Sequence, residues 1–182
     1  MVVDTSVFIH HPDKIRDIPY AEVAGLGAVP VRLVVPRVVV DELDRLKEAG
    51  NQQVRWRAGH TLGVLDELLT APRSQVTIHE ADPNWSTYLA GETTPVGKVT
   101  IEVFFDDPHH VRLPDADDEI IDRATVLQAY AGQPATLLTM DSSMAFRARL
   151  LGLPVRKPAR EIGDEPAKPQ PKPTRRSTAT AP

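Results

Sequence analysis

Two aspartates in this chain end apolar runs and are followed directly by hydroxyl residues. They are Asp4 in Met1-Val2-Val3-Asp4-Thr5-Ser6 and Asp141 in Leu137-Leu138-Thr139-Met140-Asp141-Ser142-Ser143. Each stretch reads as a short buried strand that turns into a helix. Taken alone, Asp4 has an ordinary reading as a turn cap, and Ser6 suits the N-cap of a helix beginning near Val7. Together, two strand-end aspartates from opposite ends of one α/β pattern carry more weight. Parallel strands end on one side of their sheet, and the ligand crevice of such sheets lies beyond those ends.

Two further acids can reach the same rim. In the helix expected from Val38 to Glu48, the apolar stripe is Val39, Val40, Leu43 and Leu46, and Glu42 lies at its flank. Asp41, Asp44 and Glu48 fall away from the stripe as a solvated face. In the helix opened by Pro114-Asp115-Ala116-Asp117-Asp118-Glu119, Asp117 extends the stripe of Ile120, Ala124, Leu127 and Ala131, while Asp118 points off it. Acids in a first helical turn also favour the helix dipole, but this cluster is denser than capping needs. Carboxylates sharing one crevice cannot all remain ionised and unpaired. Hard divalent cations with oxygen ligands resolve that conflict. The matching chemistry is metal-assisted hydrolysis of a phosphodiester, with Asp4, Glu42, Asp117 and Asp141 as candidate ligands. Ser6 and Thr139 can position a water or a carboxylate by hydrogen bonds.

The elements that must hold these residues follow an alternating order. Strands are expected at the first residues, at 32–35, 75–78, 98–105, 135–141 and 153–155, with helices between them. The helix from Val54 to Leu69 buries Val54, Ala58, Leu62, Leu65 and Leu69. Arg55, Arg57 and His60 lie outside that stripe, as surface charges or as contacts to a nucleic-acid backbone. Asp106-Asp107-Pro108-His109-His110 holds two acids and two imidazoles, but nothing in their spacing makes them converge on a metal. Residues 1–160 are expected to form one α/β domain with an inserted segment at about 82–112, followed by a disordered Pro/Lys/Arg-rich tail over 161–182.

Composition narrows the classes. The chain has no cysteine, which removes disulfides, thiolate metal sites and cysteine nucleophiles. No apolar run is long enough to span a bilayer and no secretory signal opens the chain, so a cytoplasmic protein without membrane association is expected. All 25 acidic residues lie at or before Glu165, whereas Lys168, Lys172, Arg175 and Arg176 lie beyond it. An acidic body argues against simple electrostatic capture of nucleic acid. A bound divalent cation reverses the local sign for a phosphate.

The chain resembles PIN-domain nucleases, and within them the PIN domains attached to PhoH-type ATPases. The resemblance rests on Val3-Asp4-Thr5-Ser6-Val7 with His11-Pro12, on Pro36 with Val40-Asp41-Glu42-Leu43-Asp44-Arg45-Leu46-Lys47, on Asp117-Asp118-Glu119-Ile120-Ile121, and on Leu138-Thr139-Met140-Asp141. It implies a three-layer α/β/α fold around a central parallel sheet and a Mg²⁺- or Mn²⁺-dependent endoribonuclease acting on RNA. It carries the metal-binding acids onto Asp4, Glu42, Asp117 and Asp141, with Asp118 as a fifth. By resemblance only, a homodimer is expected, and a toxin-like member would pair with an antitoxin protein, whose arginine could enter the acidic crevice.

Other classes fit less well. A phosphatase of the haloacid dehalogenase type needs a second aspartate two positions after the first, where this chain has Ser6. A receiver domain needs paired acids at the first strand end, and Asp4 has no acidic neighbour. The remaining rival is a non-catalytic RNA- or partner-binding module on the same fold, which would have no need of four convergent carboxylates.

Overall fold

The computed structural model describes residues 1–71, 75–82, 85–92 and 95–158. The basic tail expected over 161–182 lies outside the described residues. In chain order the elements are β1 (Val2–Val3), α1 (Thr5–His10), α2 (Tyr20–Ala24), β2 (Val31–Pro36), α3 (Arg37–Glu48), α4 (Gln52–Leu68) and β3 (Val76–His79). They continue with α5 (Trp85–Leu89), β4 (Val99–Phe104), α6 (Ala116–Ala131), β5 (Leu137–Leu138), α7 (Ser142–Leu150) and β6 (Val155–Arg156).

The strands form one sheet in the order β3-β4-β2-β1-β5-β6. Every neighbouring pair is parallel except β3 with β4. The expected parallel sheet is therefore present, with one antiparallel strand at its edge. Val99–Phe104, expected as an added strand, lies inside the sheet between β2 and β3, so this part of the proposed insertion is a member of the sheet proper. Sheet and helices form a three-layer α/β/α arrangement.

The strand order creates the crevice. From β1 the chain moves outward past β2 to the edge strand β3, returns to β4 between them, then crosses β2 and β1 to place β5 on the other side of β1. The direction of winding reverses between β1 and β5, and at such a switch point the following helices part and leave a cleft at the strand ends. The register pairs Val2 with Leu137 and Val3 with Leu138, which brings Asp4 and Thr139 side by side at that cleft. β2 flanks β1 on its other side, with Val2 opposite Val34.

The central strands are buried on both faces, as continuous apolar runs in parallel sheets require. Val2, Val3, Leu33, Val35, Val99, Ile101, Leu137 and Leu138 are all buried. Against them pack Val7 and Phe8 of α1, Val39 and Leu43 of α3, Ile120 and Ala124 of α6, and Met144 and Ala148 of α7. The stripes expected for α3 and α6 face the core, except that Val40, Leu46 and Leu127 are half-buried and Ala131 is exposed.

The approach to β4 depends on Gly97. A Cβ at that position would lie 2.1 Å from the Val29 carbonyl oxygen and 2.5 Å from its carbon, both backbone atoms that cannot step aside. Gly97→Ala is expected to cost about 3 kcal/mol, as overpacking against rigid neighbours does. A lowered urea midpoint would register that loss, whereas an unchanged midpoint would contradict it.

Candidate active site

Asp4 sits at the end of β1 and is almost fully buried, at 3% exposure. It is the N-cap residue of α1, whose first helical residue is Thr5. Ser6 is therefore inside the helix rather than its cap, contrary to the sequence expectation. Its hydroxyl instead donates to Asp4 Oδ2 and accepts from the Met140 N–H at 2.9 Å. The helix starts two residues earlier than expected because Asp4 itself adopts the extended cap conformation and its carbonyl oxygen receives the Val7 N–H at 3.1 Å.

Thr139 completes this arrangement from β5. It is fully buried. Its hydroxyl donates to Asp4 Oδ2 at 2.7 Å and accepts from the Asp141 N–H at 2.9 Å. One hydroxyl thus links the first strand-end aspartate to the backbone of the second. Thr139→Val removes one of the two hydroxyl donors to Asp4 and takes the acceptor from the Asp141 N–H. Stability is expected to fall by about 2 kcal/mol in metal-free urea unfolding, and a loss below the error of that measurement would remove Thr139 from this role.

Glu42 lies on α3 six residues after Pro36 ends β2, and is half-buried as its flank position implied. Thr5 Oγ1 donates to Glu42 Oε2 at 2.5 Å, tying α3 to the first residue of α1. Sequence reading did not single out Thr5, because only the crossing of α3 over the start of α1 reveals it.

Asp117 is in the first turn of α6 and half-buried, while Asp118 beside it is exposed. Arg147 of α7 pairs with Asp117, with Asp118 at 2.6 Å and with Asp115 at 3.4 Å. Asp141 is exposed and caps α7, one of its oxygens accepting from the Met144 N–H at 3.0 Å.

These acids act on one another through their charges, although no three of Asp4, Glu42, Asp117 and Asp141 bring ligand atoms within 4.8 Å of one another among the described residues. Burial raises the pKa of Asp4, the Ser6 and Thr139 hydroxyls oppose it, and the charge of Asp141 adds to the rise. Burial likewise raises Glu42; the Thr5 hydroxyl opposes, and Asp4 and Asp117 add to it. Asp117 is raised by burial first, then by Asp4 against the pull of Arg147, with Asp141 contributing as well. Asp4, Glu42 and Asp117 therefore each feel at least one other acid of the set. Among the described residues, no ion pair within 4.0 Å involves Asp4, Glu42 or Asp141. Oxygen ligands in mutual repulsion, with Arg147 beside Asp117 and Arg45 acting on Glu42 as counter-charges, fit a hard divalent cation. Asp118 reaches the group through Arg147.

A second cluster lies where β4 meets α6. Ligand atoms of Asp106, His110 and Glu119 fall within 4.8 Å of one another. Asp106 and His110 thus do converge, around Glu119, which the sequence reading had not singled out. Here, however, each acid already has a basic partner. Glu119 takes His110 Nε2 at 2.7 Å and the Leu113 N–H at 2.9 Å, with Arg123 at 3.5 Å. Arg112 pairs with Asp106 at 3.3 Å and with Asp41. Two buried or half-buried guanidiniums among these acids make the cluster an ion-pair network that fastens the 105–115 loop, and a poor place for a further cation.

Arg57 also departs from expectation. It is buried, and its guanidinium donates to the carbonyls of Phe8 at 3.0 Å, Pro12 at 3.3 Å and Asp13 at 2.6 Å, and to that of His11. It is neither a surface charge nor a backbone contact for nucleic acid. An arginine can sit inside when its donors meet convergent carbonyls, and the end of α1 supplies them. Arg55 is exposed and His60 half-buried, with the His60 ring stacked on Trp56 at 5.1 Å.

Among the described residues no helix is long and apolar enough to cross a membrane. No curated protein matches this sequence. Among solved structures, the chain is similar to a domain of a functionally unknown protein from Methanocaldococcus jannaschii DSM 2661. The two are 16% identical, the match covers 93% of this chain and 97% of that one, and the TM-score is 0.49. The family model for the PIN domain matches residues 1–158, which takes in β1 through β6 and every acid described above. The chain belongs to the PIN-domain family.

Proposed function

We propose that this protein is a divalent-metal-dependent ribonuclease that hydrolyses RNA phosphodiester bonds at the crevice between β1 and β5. PIN domains are generally nucleases, and the fold here is of that type. The observation that supports the reading is that Asp4, Glu42 and Asp117 are each raised by burial and by the charge of another of the four acids, with Asp4, Glu42 and Asp141 in no ion pair among the described residues.

Asp4, Glu42, Asp117 and Asp141 would hold Mg²⁺ or Mn²⁺, with Asp118 at the edge. When bound, such an ion supplies a lowered pKa for an attacking water and a counter-charge for the phosphate. The chain's own contribution is to fix its ligands in advance. Ser6 and Thr139 hold one oxygen of Asp4, and Thr5 holds one of Glu42. Ligands so oriented need little rearrangement on binding, which is what outer partners of metal ligands do. The same chemistry would serve an RNA-processing enzyme or the toxin of a toxin–antitoxin pair in the cytoplasm.

The test is cleavage of an end-labelled RNA in Mn²⁺, Mg²⁺ or EDTA. Cleavage that requires metal and disappears in Asp117→Asn supports the proposal. Metal-dependent cleavage that survives in both Asp4→Asn and Asp117→Asn would overturn the site. RNA binding without cleavage in either metal would establish the non-catalytic module instead.

A further inference from the structure

Arg147 stands apart from the other arginines near the strand ends. Arg112 and Arg123 belong to the network that fastens the 105–115 loop. Arg147 faces three carboxylates, those of Asp115, Asp117 and Asp118; Arg123 also faces three and also has a buried Nε without a partner, but its side chain is only 8% exposed. Its Nε is buried with no hydrogen-bond partner, so the head is held only through its terminal nitrogens. The side chain as a whole remains about one-third exposed, at 34%. A guanidinium with an unused donor and an open path to solvent can move.

Its position makes that movement consequential. Arg147 lies on α7, whose cap is Asp141, and it reaches across to Asp117 on α6. It therefore spans the crevice mouth between two of the acids assigned to the metal. A divalent cation at Asp117 and a guanidinium on the same carboxylate repel each other and compete for the same oxygens.

We infer that Arg147 is a built-in counter-cation of the crevice: it occupies Asp117 and Asp118 without metal, yields Asp117 to an incoming divalent ion, and then holds a phosphate oxygen of the RNA strand. This rests on the reading of the crevice as a metal site. The planar fork of arginine suits both occupants, because carboxylate and phosphate offer similar paired oxygens. Exchange between them leaves the guanidinium paired in either state. The acidic body then gains an RNA contact only once metal is present, which couples the two binding events.

The experiment measures Mn²⁺ binding in the absence of RNA, by the electron paramagnetic resonance signal of the unbound ion, for wild type, Arg147→Gln, Arg147→Lys and Asp117→Asn. A second measurement takes the affinity for a labelled single-stranded RNA in the cold with Mn²⁺, scored on RNA that a gel shows to be intact. Arg147→Gln is expected to bind Mn²⁺ on the order of tenfold tighter and RNA on the order of tenfold more weakly. Arg147→Lys, which keeps the charge, stays close to wild type for Mn²⁺. Unchanged or weaker Mn²⁺ binding in Arg147→Gln, with binding lost in Asp117→Asn, overturns the role of Arg147 and leaves the metal site standing. Unchanged RNA affinity in Arg147→Gln also overturns it. Absence of Mn²⁺ binding in wild type and Arg147→Gln alike overturns both the role and the metal site.

Discussion

Asp4→Asn is expected to lower metal-dependent RNA cleavage by about a thousandfold or more, a loss of several kcal/mol of metal-derived stabilisation, while making the metal-free protein more stable at neutral pH. The two effects have one cause. Asp4 is buried, with no ion pair among the described residues, and the charge of Asp141 bears on it, so its ionised form is the unfavourable one. Asparagine keeps an oxygen to accept from Ser6 and Thr139 but carries no charge. The gain in fold stability and the loss of a metal ligand are therefore inseparable.

The pH dependence follows with a definite sign. Asp4, Glu42 and Asp117 all hold their protons to higher pH than ordinary carboxylates. Between the unfolded carboxylate pKa and their raised values, the folded state binds more protons than the unfolded one. Stability from these groups is fully present below the unfolded pKa and is lost as pH rises through the folded values. Urea unfolding in EDTA should therefore show Asp4→Asn gaining more over wild type at about pH 8 than at about pH 5. An equal gain at both pH values would mean that Asp4 is not raised. Added Mn²⁺ should stabilise wild type and leave Asp4→Asn nearly unchanged.

Arg57→Met is expected to be the most destabilising single change away from the crevice, at about 4 kcal/mol, because hydrogen bonds from a charged group to buried carbonyls are lost together. The carbonyls of Phe8 and His11 would be left inside without their donor. For a domain of this size the loss corresponds to a drop in Tm of about 10 °C. Arg57→Lys should recover only part of it, since one ammonium cannot reproduce a planar fork. The consequence reaches the site: the Arg57 bonds fasten the end of α1 to α4, and the other end of α1 carries Asp4, Thr5 and Ser6. A Tm within about 2 °C of wild type for Arg57→Met would contradict this bracing role.

The contrast between these residues shows what the sequence could disclose. Asp4 and Asp141 were legible because each combines an apolar strand with an abrupt carboxylate, and parallel pairing then puts both on one rim. Glu42 and Asp117 were legible from helical periodicity, which sets the face of a helix without any tertiary information. Arg57 was misread by the same rule, because periodicity marks an arginine as outward-facing and cannot foresee four carbonyls converging on it from the end of another helix. Arg147 and Glu119 gave no signal either. Their partners lie in other elements, and only the packing of α6 beside α7 and of the 105–115 loop on α6 brings them together. Alternation reveals β4 as a strand but not its neighbours; its pairing with β2 places it inside the sheet.

Crystals grown with Mn²⁺ test the central claim most directly, through the anomalous scattering of the ion. A peak is expected between carboxylate oxygens of Asp4, Asp117 and Asp141, with Glu42 at its side and Arg147 turned away from Asp117. A peak between Asp106, His110 and Glu119 with the crevice left empty would contradict it.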